Sequence, residues 1–124
     1  MFSSKYDVEY VDNIETGYAA KCIYPIVPMI GTCKIMVSNK YKGDVGLLAH
    51  EVEHVHQYSK NPVHAAMYKW CSWYKYKCEI TAYRVQTRMY GYKETMEYEW
   101  IVNAIINKYG IKKSKEQILK DLVN

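Results

Sequence analysis

Leu47-Leu48-Ala49-His50-Glu51-Val52-Glu53-His54-Val55-His56-Gln57-Tyr58 is the stretch on which the reading of this chain turns. Leu48, Val52 and Val55 recur at spacings of four and three, so the stretch is an amphipathic helix with those three side chains facing a core. Its other face carries His and Glu where an ordinary solvated helix carries Lys and Glu. At about 100° per residue, His50 and His54 lie about 40° apart, one turn along a single stripe, and both imidazoles can reach one cation. Glu51 sits about 60° round from His54 on the same geometry. A carboxylate in that place can take a proton from a water that the cation activates. His56 points about 160° away from His54 and cannot join the same ion.

The flanks fit a helix over 45–59. Asp44 is a good N-cap, and Asn61-Pro62 stops the run. Upstream, residues 1–43 are β-rich. Tyr6, Val8 and Tyr10 alternate with Asp7 and Glu9, and 18–24 and 33–37 are further strands, with Pro25, Pro28 and Gly31 punctuating the link between them. Downstream, a helical region runs over 62–90 to a stop at Gly91, a third helix covers 93–109 and ends at Gly110, and Ser114 to Gln117 reads as a capping box for a short last helix. The expected fold is α+β, a small N-terminal sheet or hairpin followed by three to four helices, as one domain over 1–124.

A catalytic zinc site takes three protein ligands and an open position. One pattern places a glycine three residues after the second histidine and a third histidine three residues later. Gln57 and Lys60 stand there instead. Asp121, the only Asp after the motif, is almost at the end of the chain. His64 follows directly on the Asn61-Pro62 turn. Glutamates remain.

The sequence His50-Glu51-Val52-Glu53-His54, followed by Glu79-Ile80-Thr81-Ala82, resembles the gluzincin zinc metallopeptidases, which pair HExxH with a later helix-borne Glu, often as ExxA. The resemblance covers about 50–83. It implies Glu79 as third ligand beside His50 and His54, Zn2+ as the metal, Glu51 as general base, and a sheet whose edge strand aligns an extended peptide or protein substrate for hydrolysis. Tyr83, one turn from Glu79, is the candidate donor to the oxyanion; the alternative for it is a packed ring with a satisfied hydroxyl. Gln57 either lines the cleft floor or supports a ligand, and Asp7, Asp12 or a backbone carbonyl can orient the imidazoles. If 62–90 were one straight helix, Glu79 would lie about 25 Å beyond the turn and His54 only about 10 Å from it. A break between 61 and 72 is therefore expected, with the Glu79 helix starting near 70–73.

Two rival classes share these residues. One is a non-catalytic or regulatory zinc module, closed by a fourth ligand such as His64, Cys78 or Glu53. The other is a hydrolase of cell-wall peptides. Composition excludes other classes. A net charge of +4, from 17 basic and 13 acidic residues, is too small and too interspersed for a specific nucleic-acid binder. No apolar run is long enough to span a membrane, and the N-terminus has no apolar leader, so cytoplasmic location is expected, with control left to cleft access, narrow specificity or a protein regulator. The four cysteines form no CxxC and are expected to be reduced, although Cys22 and Cys33 can face each other across a hairpin. Fourteen tyrosines against one Phe give rings that combine apolar area with a hydroxyl, in the core or along a cleft.

Overall fold

The computed structural model describes residues 5–14, 18–25 and 31–124. Pro28, one of the expected breakers between the second and third strands, lies outside them. Three strands, β1 (Tyr6–Val11), β2 (Ala20–Ile23) and β3 (Cys33–Ser38), precede five helices: α1 (Val45–Lys60), α2 (His64–Trp70), α3 (Ser72–Tyr90), α4 (Glu99–Lys108) and α5 (Lys115–Val123). The molecule is α+β.

Among the described strands β3 is central. β1 lies parallel on one side with Tyr6 opposite Cys33, and β2 antiparallel on the other with Cys22 opposite Ile35. The hairpin is thus β2–β3, and β1 adds a parallel strand to it. The register puts Cys22 two places from Cys33, and all four cysteines are free thiols. Cys33, Ile35 and Val37 alternate inward, and Val55 and Tyr58 of α1 close this cluster, with Leu48 and Val52 packed at its margin. The apolar stripe of α1 therefore covers the sheet, which turns His50, Glu51 and His54 toward the rest of the chain. A second apolar cluster joins Tyr76, Ile80 and Tyr83 of α3 to Ile101, Val102 and Ile105 of α4 and Ile118 and Leu122 of α5.

Each end of α1 has a physical cause. Asp44 caps it by accepting the Leu47 amide at 3.0 Å. Asn61 before Pro62 is extended at φ −135°, ψ 111°, the region left to a residue preceding proline. The stretch 62–90 is two helices. Cys71, at φ −112°, ψ 104°, separates α2 from α3 and restarts the chain in a new direction. Gly91 ends α3 at φ 75°, the left-handed conformation that glycine adopts without steric cost.

The third helix departs from expectation. Residues Thr95–Tyr98 form a 3-10 turn before α4, because Glu94 and Glu97 cap each other's backbone there and make a start that the sequence reading put two residues earlier. At α5 only half of the expected capping box forms. Ser114 accepts the Gln117 amide at 3.1 Å, while the Gln117 side chain turns forward to Asp121.

Candidate metal centre

α1 and α3 run antiparallel, and three contacts fix their register. At one end the Tyr90 hydroxyl donates to the Asp44 carboxylate at 2.8 Å, with its ring against Gly46. In the middle the Tyr83 ring meets the His50 ring edge-on, centroids 4.4 Å apart. At the far end the Gln57 amide nitrogen donates to the Cys78 carbonyl at 3.1 Å. Stepping forward along α1 steps backward along α3, which brings Glu79 opposite the paired histidines. Ala82 is fully buried and permits this approach.

The result is a convergent donor set. His54 Nε2 lies 3.0 Å from Glu79 Oε2, and His50 Nε2 lies 3.3 Å from Glu79 Oε1. One ligand atom from each of His50, His54 and Glu79 falls within 4.8 Å of the others, and all three residues are buried, Glu79 to 1% exposure. Such a group can hold a metal ion. Glu51 is also buried, with Oε2 3.9 Å from His50 Nε2.

The electrostatics fit a cation. Gln57 has committed its nitrogen to Cys78, so its oxygen, 2.9 Å from His54 Nδ1, accepts from that ring atom. Nε2 is then the lone-pair side of the neutral imidazole, and it faces a carboxylate. Two acceptors in contact demand a proton or a metal ion between them. Glu79 Oε1 is buried and makes no hydrogen bond although it lies 3.3 Å from His50 Nε2, and His50 Nδ1 is likewise buried without a partner. Burial works to lower the His54 pKa, but the Glu79 carboxylate, together with Glu51 and Gln57, outweighs it and lifts the ring to about 9. Burial likewise opposes ionisation of Glu79, yet His54 and His50 hold its carboxyl well below the ordinary range.

Other candidate residues fall as follows. Tyr83 is buried, its ring wedged between His50 and Trp100 and its hydroxyl 3.4 Å from that of Tyr109. Gln57 supports His54. Asp12 is occupied with Asn39 at 2.7 Å, and Asp7 lies exposed on β1, so neither carboxylate orients a ligand. The supposed fourth ligands are elsewhere: His64 is held between the hydroxyls of Tyr74 (2.7 Å) and Tyr24 (3.1 Å), Glu53 faces His56, and Cys78 stands outside the donor group.

Sequence reading missed Tyr68. Its hydroxyl donates to Glu79 Oε2, and its ring meets His54 edge-on at 5.9 Å. Tyr68 lies one turn after His64 on α2, so anchoring His64 among tyrosines aims Tyr68 at the centre. Only the direction of the chain after the Asn61-Pro62 turn discloses this, and spacing does not encode that direction.

A cleft of about 690 Å³ opens onto the cluster. β2, at the edge of the described strands, supplies Ala20, Lys21 and Cys22 to its wall, and tyrosines from several elements supply much of the rest. Among the described residues no helix is long and apolar enough to cross a membrane. Comparison with protein-family models, with curated proteins and with solved structures finds no match.

Proposed function

We propose that this chain is a zinc-dependent peptidase with a minimal zincin-like fold. The observation that carries this reading is the buried convergence of His50, His54 and Glu79, with the Glu51 carboxylate beside them, at a cleft bordered by an edge strand. The donor set of two imidazoles and one carboxylate, with no fourth protein ligand in the group among the described residues, suits catalytic zinc better than structural zinc. β2, antiparallel to β3 and at the sheet edge, supports the alignment of an extended peptide by strand addition.

A zinc ion bound here would supply Lewis acidity toward a scissile carbonyl and the attacking water. Glu51 takes the proton of that water and returns it to the leaving amine. Gln57 keeps the His54 ring in the ligating tautomer. A tyrosine hydroxyl stabilises the developing oxyanion. The Tyr68 hydroxyl, which donates to Glu79 Oε2, is the one set against the donor group, and that of Tyr83 pairs with Tyr109, so either must turn from its present partner to meet the oxyanion.

The test pairs metal content with hydrolysis of a mixed peptide library. Wild-type protein should bind one zinc per chain, His50→Ala should lose it, and Glu51→Gln should keep the zinc and lose all cleavage. A Glu51→Gln protein that still cut peptides would remove the general base from this account.

A further inference from the structure

Lys108 is the last residue of α4 and belongs to a stripe that the chemistry above does not use. Trp100, Ala104 and Lys108 follow one another at four-residue spacing and all line the cleft. The rest of α4 faces the core through Ile101, Val102 and Ile105. A lysine at a helix C-terminus has a routine role, complementing the helix dipole from solvent. This one is exposed and borders the cleft. Its ammonium lies 3.9 Å from the centroid of the Tyr18 ring, in the segment that leads into β2. The contact joins the two walls, with the edge strand on one side and α4 on the other, so a chain lying along β2 meets a cation there. The backbone that carries the lysine is anchored, because the Tyr109 hydroxyl next to it lies 3.4 Å from that of Tyr83 on α3 and Gly110 follows the helix end at φ 64°.

Among the described residues Lys108 has no carboxylate within ion-pair distance. Among the described residues the remaining charged groups on the cleft wall, outside the donor set and Glu51, are Lys21 and Asp44, and Asp44 is taken up by Tyr90 and the Leu47 amide. Burial lowers the pKa of Lys108, while Glu79 and Glu51 act to raise it, which sets the amine within the field of the centre. An ammonium over an aromatic face, with no carboxylate partner, still has donors free for one.

We infer that Lys108, backed by Tyr18, forms an anion subsite that binds a carboxylate of the substrate at one end of the cleft. That carboxylate belongs either to an acidic side chain or to a free C-terminus. This assignment rests on the peptidase reading for the identity of the molecule that carries the carboxylate, and the binding of small carboxylates tests it apart from cleavage.

The experiment titrates three probes into the zinc-loaded protein and its Lys108 variants, reads each affinity by calorimetry, and in the wild type also follows the Lys108 side-chain signals by NMR. The probes are N-acetylglutamine amide, which is neutral, N-acetylglutamate amide, with a side-chain carboxylate, and N-acetylglutamine free acid, with a main-chain carboxylate. At least one acid should bind about tenfold more tightly than the neutral probe, equivalent to about 1.4 kcal/mol, and which acid wins names the source. Lys108→Arg should keep the preference and Lys108→Gln should abolish it. Equal binding of all three probes would overturn the subsite, as would a preference that survives in Lys108→Gln, because the carboxylate would then be seated on the zinc. The two readings fail separately. Peptide cleavage with no acidic preference sinks the subsite alone, and carboxylate binding through Lys108 without any cleavage sinks the peptidase alone.

Discussion

Gln57 touches both helices of the centre, and its amide has a direction. Its nitrogen is given to the Cys78 carbonyl, which leaves its oxygen for His54 Nδ1. Losing such a partner commonly costs 10–100-fold in metal affinity. Gln57→Leu should fall in that range in a chelator competition, with Glu51→Gln unchanged in the same assay. The two tyrosines divide differently. Removing one oxyanion donor costs about 10²–10³ in kcat, so Tyr68→Phe should lose about a hundredfold in kcat with KM little changed. Tyr83→Phe should lose less than tenfold, because its ring against His50 remains. The paired histidines and Glu51 could be read from the sequence because their relation is local, set by one helical turn. Tyr68 could not, because its place depends on where α2 points.

The elements show how far periodicity reaches. The α1 pattern was plain because its apolar stripe and its His–Glu face contradict a solvated helix. The break inside 62–90 followed from distance alone, since a straight helix would have carried Glu79 away from the histidines, and Cys71 supplies it. The parallel pairing of β1 with β3 was hidden, because alternation marks a strand without naming its partner. One contact between elements gives a prediction of sign. A Cβ built on Gly46 would lie 2.4 Å from Cε1 of Tyr90. Glycine to alanine in a helix ordinarily stabilises by up to about 1 kcal/mol. Here Gly46→Ala must displace the Tyr90 ring and its bond to Asp44, a strain of roughly 1–3 kcal/mol. Urea unfolding should show a net loss for Gly46→Ala, and a much smaller one in a Tyr90→Leu background. Equal losses in the two backgrounds would place the cost elsewhere.

Across the whole molecule, two apolar clusters flank a polar seam. The sheet and α1 form one, α3 to α5 form the other, and the donor set lies where α1 meets α3. His64 belongs to this seam, 1% exposed between two tyrosine hydroxyls. Burial, aided by the charge of His54, lowers its pKa from 6.5 to about 4. Between those values the unfolded chain binds the proton and the folded one does not. Stability from this group is therefore complete above pH 6.5 and declines as pH falls toward 4, by roughly 3 kcal/mol over the window. Unfolding of the metal-free protein followed from pH 7 to pH 4 should show this slope, and His64→Gln should flatten it. An unchanged slope would mean that other groups titrate there.

The hold on His54 from α3 ends on a peptide oxygen, that of residue 78. Side-chain chemistry at that site is invisible to it. Natural variation could exchange the thiol for any small group that fits and leave the tether whole, whereas a kink that tilts this one carbonyl would loosen the histidine without altering any residue of the donor group.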